Sequence, residues 1–378
     1  MAKIKVAIFT GNYNHIRDGV SLTLNRLVAF LLMNDVEVLI FAPTIDEPAL
    51  DHEGTLIAVP SKKLPGRPEY RFSTGFPEKQ RQILEEFNPD IIHIATPDVL
   101  GYKALKWAQK AEKPIVSSFH THFSSYLKYY NIGFLEPVLW KYLSWFYNHC
   151  EQVYVPSQSM SDILKEHSIE TELKIWARGI DTELFHPSKK DESWRKKMGF
   201  KETDIVITYV SRLVLEKNPD LFADVVNRLQ KEFKQVKAMI VGEGPALSGL
   251  KELFPEAVYT GFLKGEELAA SYANSDIFFF PSDTETFGNV TLEAMASGLP
   301  CVVADATGSK SLVENHKNGF VIPVEDKDEF YDSLKTLITD NNLRKHMGAL
   351  SHEKSKHYTW SAINARLLKF YKEILSRE

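Results

Sequence analysis

The chain lacks most features that would assign it quickly. It has two cysteines in 378 residues, Cys150 and Cys301, too few for a disulfide framework or a cysteine zinc cage. No run of about 18 apolar residues occurs, so no membrane-spanning helix is expected. The apolar part of the opening "MAKIKVAIFTGNYNH" is too short for a secretory core and reads as a buried first strand. Gly-x-Gly-x-x-Gly is missing, which weakens a dinucleotide dehydrogenase, and so is a Walker A run, which weakens an NTPase. His-Glu-x-x-His is absent too. The formal net charge of -5 gives no support for a general nucleic-acid binder, and no nucleic-acid partner is expected. A soluble cytoplasmic protein is the starting expectation.

What is present is a rhythm. With 44% hydrophobic residues the chain can bury large cores, and its length favours two or three domains. "KIKVAIFT" reads as a strand, followed by the loop "GNYNHIRDGVS". Leu24, Leu27, Val28, Leu31 and Leu32 then recur at helical spacing. "VEVLIFAP", "PDIIHIAT" and "KPIVSSFHTHF" are further strands, with helical "VLGYKALKWAQKA" between the last two. Strand, helix, strand in repetition predicts a parallel sheet with helices on both faces. The second half restarts at "DIVITYVSRL" and continues through "VKAMIVGEG", "AVYTGF", "DIFFFPS", "PCVVAD" and "GFVIP". The charged stretch at 178–195 has no clean period and reads as the linker. The expected fold is α/β, with two doubly wound Rossmann-like domains, 1–185 and 186–357, facing a cleft. Trp360, Ile363, Leu367, Phe370, Tyr371 and Ile374 stripe a last helix, within 358–378, expected to cross back to the first domain.

In open α/β sheets ligands bind at the carboxyl ends of the strands. Candidate residues are therefore those just after strands. Gly19 lies near a helix start, where backbone N–H groups can meet an anion. Arg212 and Lys217 in "SRLVLEKNPD" can hold a diphosphate, one by a planar fork and the other as a point charge. Gly242 and Glu243 in "VGEGP" suit close approach by a base or ribose, and equally a plain turn. His120 in "FHTHF" can hydrogen-bond a sugar hydroxyl. Zinc through His120 and His122 lacks a third ligand at recognisable spacing. Asp326 and Asp328, the one Asp-x-Asp, read as a helix start, which argues against a metal-bound diphosphate.

The fullest signal is "SDTETFGNVTLEAMASGLP", residues 282–300. Glu285 and Glu293 flank a turn and a helix start. On one helix they would point about 80° apart, so they are expected in two places, a loop and the helix. The N–H groups of Phe287, Gly288, Asn289 and Val290 between them attract an anion. Carboxylates on either side can accept hydroxyls, as a nucleotide sugar requires. The plainer reading is that acids suit helix starts.

These pieces resemble the family 4 retaining glycosyltransferases of GT-B fold, over nearly the whole chain. The matching segments are "DGVS", "FHTHF", "RGIDTELFHP", "SRLVLEKN", "VGEGP", the Glu285–Glu293 element and the closing "YTW" helix. The resemblance implies a UDP- or GDP-linked sugar donor, retention of anomeric configuration, and no metal or other cofactor. By it, Glu285 and the Phe287–Val290 backbone hold donor sugar and phosphates, Glu293 the ribose, Arg212 and Lys217 the diphosphate. His120 serves the sugar near the reacting carbon. Within the family, "RGIDTELFHP" and "YLKYYNIGFLEPVLWKYLSWFYNHC" look like glycolipid enzymes, such as sulfoquinovosyl diacylglycerol synthases and lipid-directed mannosyltransferases. A membrane-lipid acceptor such as diacylglycerol or a glycolipid is then expected. Core packing explains most of the aromatic and apolar residues of 123–147, and some, beside Lys128 and Lys141, suggest peripheral contact with the inner face of a membrane. An epimerase-like or phosphorylase-like protein, or a non-catalytic nucleotide-sugar-binding module, are the alternatives.

Overall fold

The computed structural model describes residues 3–64, 67–120, 134, 136–306 and 308–377. The chain forms two compact units, Met1–Ala177 with Ser361–Glu378, and Arg178–Trp360.

The first unit holds a seven-stranded sheet. Its strands are β1 (Lys5–Phe9), β2 (Glu37–Ala42), β3 (Thr55–Ala58), β6 (Ile91–Ile94), β7 (Ile115–Ser118), β8 (Gln152–Val155) and β9 (Glu172–Ile175). Strands β4 (Ser61–Leu64) and β5 (Arg67–Ser73) form a separate antiparallel pair. The order is β3-β2-β1-β6-β7-β8-β9 and every pairing is parallel. A parallel sheet covered on both faces needs continuous apolar strands, and β1, β6 and β7 are buried accordingly. The strand order reverses between β1 and β6.

The last helix, Trp360–Leu375, buries most of its apolar stripe. Ile363, Leu367, Leu368, Tyr371 and Ile374 are buried, and Trp176 Nε1 donates to Asn364 Oδ1 at 3.3 Å. The helix returns to the first unit, although it follows the second in the chain.

The second unit contains β10 (Ile205–Val210), β11 (Val236–Val241), β12 (Val258–Gly261), β13 (Ile277–Phe280), β14 (Cys301–Ala304) and β15 (Gly319–Ile322). Their order is β12-β11-β10-β13-β14-β15, all parallel, and it reverses between β10 and β13.

The linker expected at 178–195 is not one. This segment belongs to the second unit. Arg195, 4% exposed, donates to the carbonyls of Asn274 and Asp204 at 2.8 and 2.7 Å and pairs with Asp276 at 3.2 Å. Phe185 packs edge-on against Tyr272. Asp191 and His186 spend their side chains capping short helices. Part of the charge that suggested a solvated linker is spent on caps and on Arg195's buried bonds, and the break falls at Ala177–Arg178.

Candidate functional site

In a doubly wound sheet the crevice opens where strand order reverses. In the second unit that is the pair β10 and β13. Each is followed by one partner of an ion pair. Lys217 lies past β10, in the single 3-10 turn Leu215–Lys217. The Tyr209 hydroxyl holds this turn by donating to the Lys217 carbonyl at 3.1 Å. Glu285 lies past β13. Lys217 Nζ meets Glu285 Oε1 at 2.6 Å and also donates to the Thr284 carbonyl. Both side chains are mostly buried, 12% and 16% exposed. Arg212 lies just past β10, exposed, with no ion-pair partner among the described residues.

The turn after Glu285 is shaped by two glycines. Gly288 has φ 93° and precedes the helix Asn289–Ala296. Gly308 has φ 77°, and a Cβ there would sit 2.8 Å from the Glu285 carbonyl oxygen and from Phe287 main-chain atoms. A Cβ on Gly288 would in turn meet Ser309 Oγ at 2.9 Å. The two loops therefore touch main chain to main chain, and Thr291 Oγ1 bonds Ser309 Oγ at 3.0 Å. No side chain caps the Asn289–Ala296 helix. Its first N–H groups are not taken by a capping side chain.

That helix has no acid in its first turn. The plain helix-start reading of the two glutamates is therefore wrong for this helix, since the dipole effect fades beyond the first turn. Glu293 sits deeper, half-buried, and accepts the Tyr272 hydroxyl at 3.0 Å. Burial pushes its carboxyl up from 4.5 to about 7, against the pull of the Tyr272 hydrogen bond.

The "VGEGP" glycines have a backbone reason. A Cβ on Gly242 would strike the Ser211 carbonyl oxygen at 1.9 Å, and one on Gly244 the Leu213 carbonyl oxygen at 2.3 Å. They let the loop after β11 lie against the loop after β10. Glu243 is exposed on that loop. The Asp326–Asp328 pair is a helix start: Asp326 accepts the Glu329 N–H at 2.9 Å, and Asp328 pairs with Arg228. Among the described residues no cluster of three His, Cys, Asp or Glu is placed for a metal.

In the first unit, Gly19 opens the helix Gly19–Met33, with empty space where a Cβ would be. Asp18 already accepts the Val20 and Ser21 N–H groups at 3.0 and 2.8 Å, so two of that helix's donors are taken. His120 follows β7, and its Nε2 lies 2.8 Å from Ser118 Oγ. Its ring stands edge-on to Trp176.

Sequence reading missed Thr284, Tyr272, Gly308 and Ser309, and in the first unit Ser118, His93 and Tyr371. Gly308 and Ser309 follow β14, so the strand-end rule would have found them. Of the segment 123–147, residues 123–133 and 135 lie outside the described residues. In the described helix Glu136–Tyr147, Trp140, Leu143, Phe146 and Tyr147 belong to the core, and Leu139, Tyr142 and Trp145 pack against it. Phe134 and Val138 are exposed, at 77% and 66%. No helix among the described residues is long and apolar enough to cross a membrane.

Residues 17–184 match the family described as Glycosyltransferase Family 4, and residues 190–353 that described as Glycosyl transferases group 1. A GDP-mannose-dependent alpha-mannosyltransferase of Corynebacterium glutamicum is 30% identical, over 99% of this chain and 90% of its own. The sulfoquinovosyl transferase SQD2 of Arabidopsis thaliana is 32% identical over 75% of this chain and 56% of its own. An alpha-monoglucosyldiacylglycerol synthase of Streptococcus pneumoniae is 29% identical, covering 79% and 70%. The crystal structure of Anabaena HepE in complex with UDP superposes with a TM-score of 0.74 at 20% identity, over 98% of this chain and 100% of that one.

Proposed function

The chain belongs to the group 1 and family 4 glycosyltransferases, and on that premise we propose that it moves a sugar from a UDP- or GDP-linked donor to a hydroxyl of a membrane lipid, such as diacylglycerol or a glycolipid. The observation that carries the reading is the switch point of the second unit. There an uncapped helix start stands between the Lys217–Glu285 pair and the Glu293–Tyr272 pair. A diphosphate fits the N–H groups, with Lys217 and Arg212 as countercharge. Glu293 takes the ribose hydroxyls and Glu285 the sugar. As the bond from the anomeric carbon to the phosphate oxygen breaks, negative charge grows on the leaving diphosphate. Fixed donors and cations aimed there stabilise the transition state. His120 serves the sugar, as the resemblance implies. Transfer keeps the anomeric configuration and needs no metal. Relatives named for GDP-mannose and for a glucosyldiacylglycerol product support the donor and acceptor classes.

The test is a panel of UDP- and GDP-sugars, with nucleotide release followed with and without membrane lipid extract. One donor is expected to hydrolyse slowly alone and react much faster with lipid. EDTA is expected to leave both rates unchanged, and the product to keep the donor's anomeric configuration by NMR. A protein that binds a nucleotide sugar but never releases nucleotide is a binding module instead.

Peripheral membrane contact is part of this reading, and exposed Phe134 and Val138 support it. In flotation with anionic vesicles the protein is expected to float at low salt and to be released as salt screens its basic residues. No flotation at low salt would favour a soluble acceptor.

A further inference from the structure

Four side chains from distant parts of the first unit form one line. Tyr371, on the last helix, lies 2.6 Å from His93 Nδ1 on β6. His93 Nε2 lies 3.0 Å from Ser118 Oγ at the end of β7. Ser118 Oγ lies 2.8 Å from His120 Nε2. Tyr371, His93 and Ser118 are all at most 1% exposed, so no water competes for their protons.

We propose that this line runs in one direction, Tyr371 to His93 to Ser118 to His120, and holds His120 as the neutral tautomer with its proton on Nδ1. Proton counting decides the direction. The Tyr371 hydroxyl has one proton and, among the described residues, one partner, so it donates to His93 Nδ1. Reversal would leave a buried O–H unsatisfied, which is costly. Burial pushes the His93 imidazole down to about 3, so the ring is neutral and carries one proton, now on Nε2. That proton goes to Ser118 Oγ. The Ser118 hydroxyl has accepted one bond and has one proton left, which it gives to His120 Nε2. A proton on that nitrogen would orphan the hydroxyl. His120 is thus kept neutral on one side and presents Nδ1–H as a donor. Trp176, edge-on to both histidine rings at 6.1 and 5.5 Å, limits their rotation.

The bearing of this on transfer rests on the proposed role of His120, but the tautomer does not. Ser118, His93 and Tyr371 are positioning residues. The experiment is a long-range proton–nitrogen correlation spectrum of the full chain labelled at histidine nitrogens, with His120 identified by its loss in His120→Asn. Wild type is expected to show His120 protonated at Nδ1 and bare at Nε2, and His93 the reverse. Ser118→Ala should release His120 into a mixture of tautomers and lower kcat about fivefold to tenfold, the worth of one hydrogen bond. Ser118→Thr, which keeps a hydroxyl, should restore both. A wild-type His120 protonated at Nε2 overturns the proposal. So does a Ser118→Ala spectrum with the tautomer unchanged. If Ser118→Ala does not fold, the wild-type spectrum decides alone. If the tautomers are as stated but His120→Asn transfers sugar at the wild-type rate, the line stands and the role of His120 fails.

Discussion

Replacing Glu285 by Gln is expected to lower kcat at least about a hundredfold, while nucleoside-diphosphate affinity stays within about threefold of wild type. The carboxylate is fixed by Lys217 at 2.6 Å on the reversal point of the second sheet. It has little freedom, so a sugar hydroxyl held by it is well placed. An amide loses the ion pair and offers one acceptor where the carboxylate offered two oxygens. Misplacing the reacting carbon by about 1 Å is enough for such a loss. Lys217→Ala should also be slow, because it leaves Glu285 mostly buried without its partner. Since the two residues share one interaction, the double variant should be far less impaired than the product of the single losses. Stopped assays of turnover beside calorimetric nucleotide titrations give both quantities. Strict additivity, or a Glu285→Gln enzyme of wild-type kcat, would sink the assignment.

Glu293→Gln is expected to do the opposite: to weaken nucleotide binding about tenfold or more while making the protein harder to unfold above neutral pH. The folded protein keeps a proton on Glu293 up to about pH 7, whereas an unperturbed glutamate gives it up near 4.5. A raised acid contributes stability that is full below the unfolded value and is lost as pH rises through the folded one. At pH 8 wild type therefore carries a poorly solvated carboxylate that a neutral amide does not. The variant's Tm at pH 8 should be about 2 °C or more higher, and the difference should vanish near pH 4. An ionised carboxylate is the stronger acceptor for ribose hydroxyls. Wild-type nucleotide affinity should thus rise between pH 6 and 8, and that of Glu293→Gln should not. A lower Tm with unchanged affinity would return Glu293 to a structural role.

The sequence displayed the second unit better than the first. Five of the six strands of its sheet are largely buried apolar runs, and only the edge strand β12 is partly buried along its length. In the first sheet, β3 and β9 are only partly buried edge strands. The β8 segment "QVYV" begins with a buried Gln152, whose amide donates to Glu172. None of these three gives the continuous apolar signal that β1 gives. Within the site, Lys217 and Glu285 were each legible from their places after strands. Their pairing was not, because it depends on β10 and β13 being neighbours, and these are far apart in the chain. The line ending at His120 was hidden for the same reason. His93 sits inside "PDIIHIAT" and looks like one residue of a strand, and its partner Tyr371 is 278 positions away. Charge misled at 178–195, since composition cannot tell a solvated arginine from Arg195, whose two terminal nitrogens are bound to the carbonyls of Asn274, Lys201 and Asp204 and to the Asp276 carboxylate.

The return of the last helix to the first unit has a consequence for biosynthesis. The ribosome finishes Ala177 long before Ser361, and the first unit cannot close until the second has been made. At about 5–20 residues per second, the delay is roughly 10 to 40 s. During that time the pocket for Leu367, Tyr371 and Ile374 stands open to water, and His93 has no tyrosine to meet. The second unit is continuous in the chain and is complete when Trp360 emerges. The half of the protein synthesised first is therefore the half that folds last, and it spends the interval as the part most exposed to chaperones, proteases and aggregation.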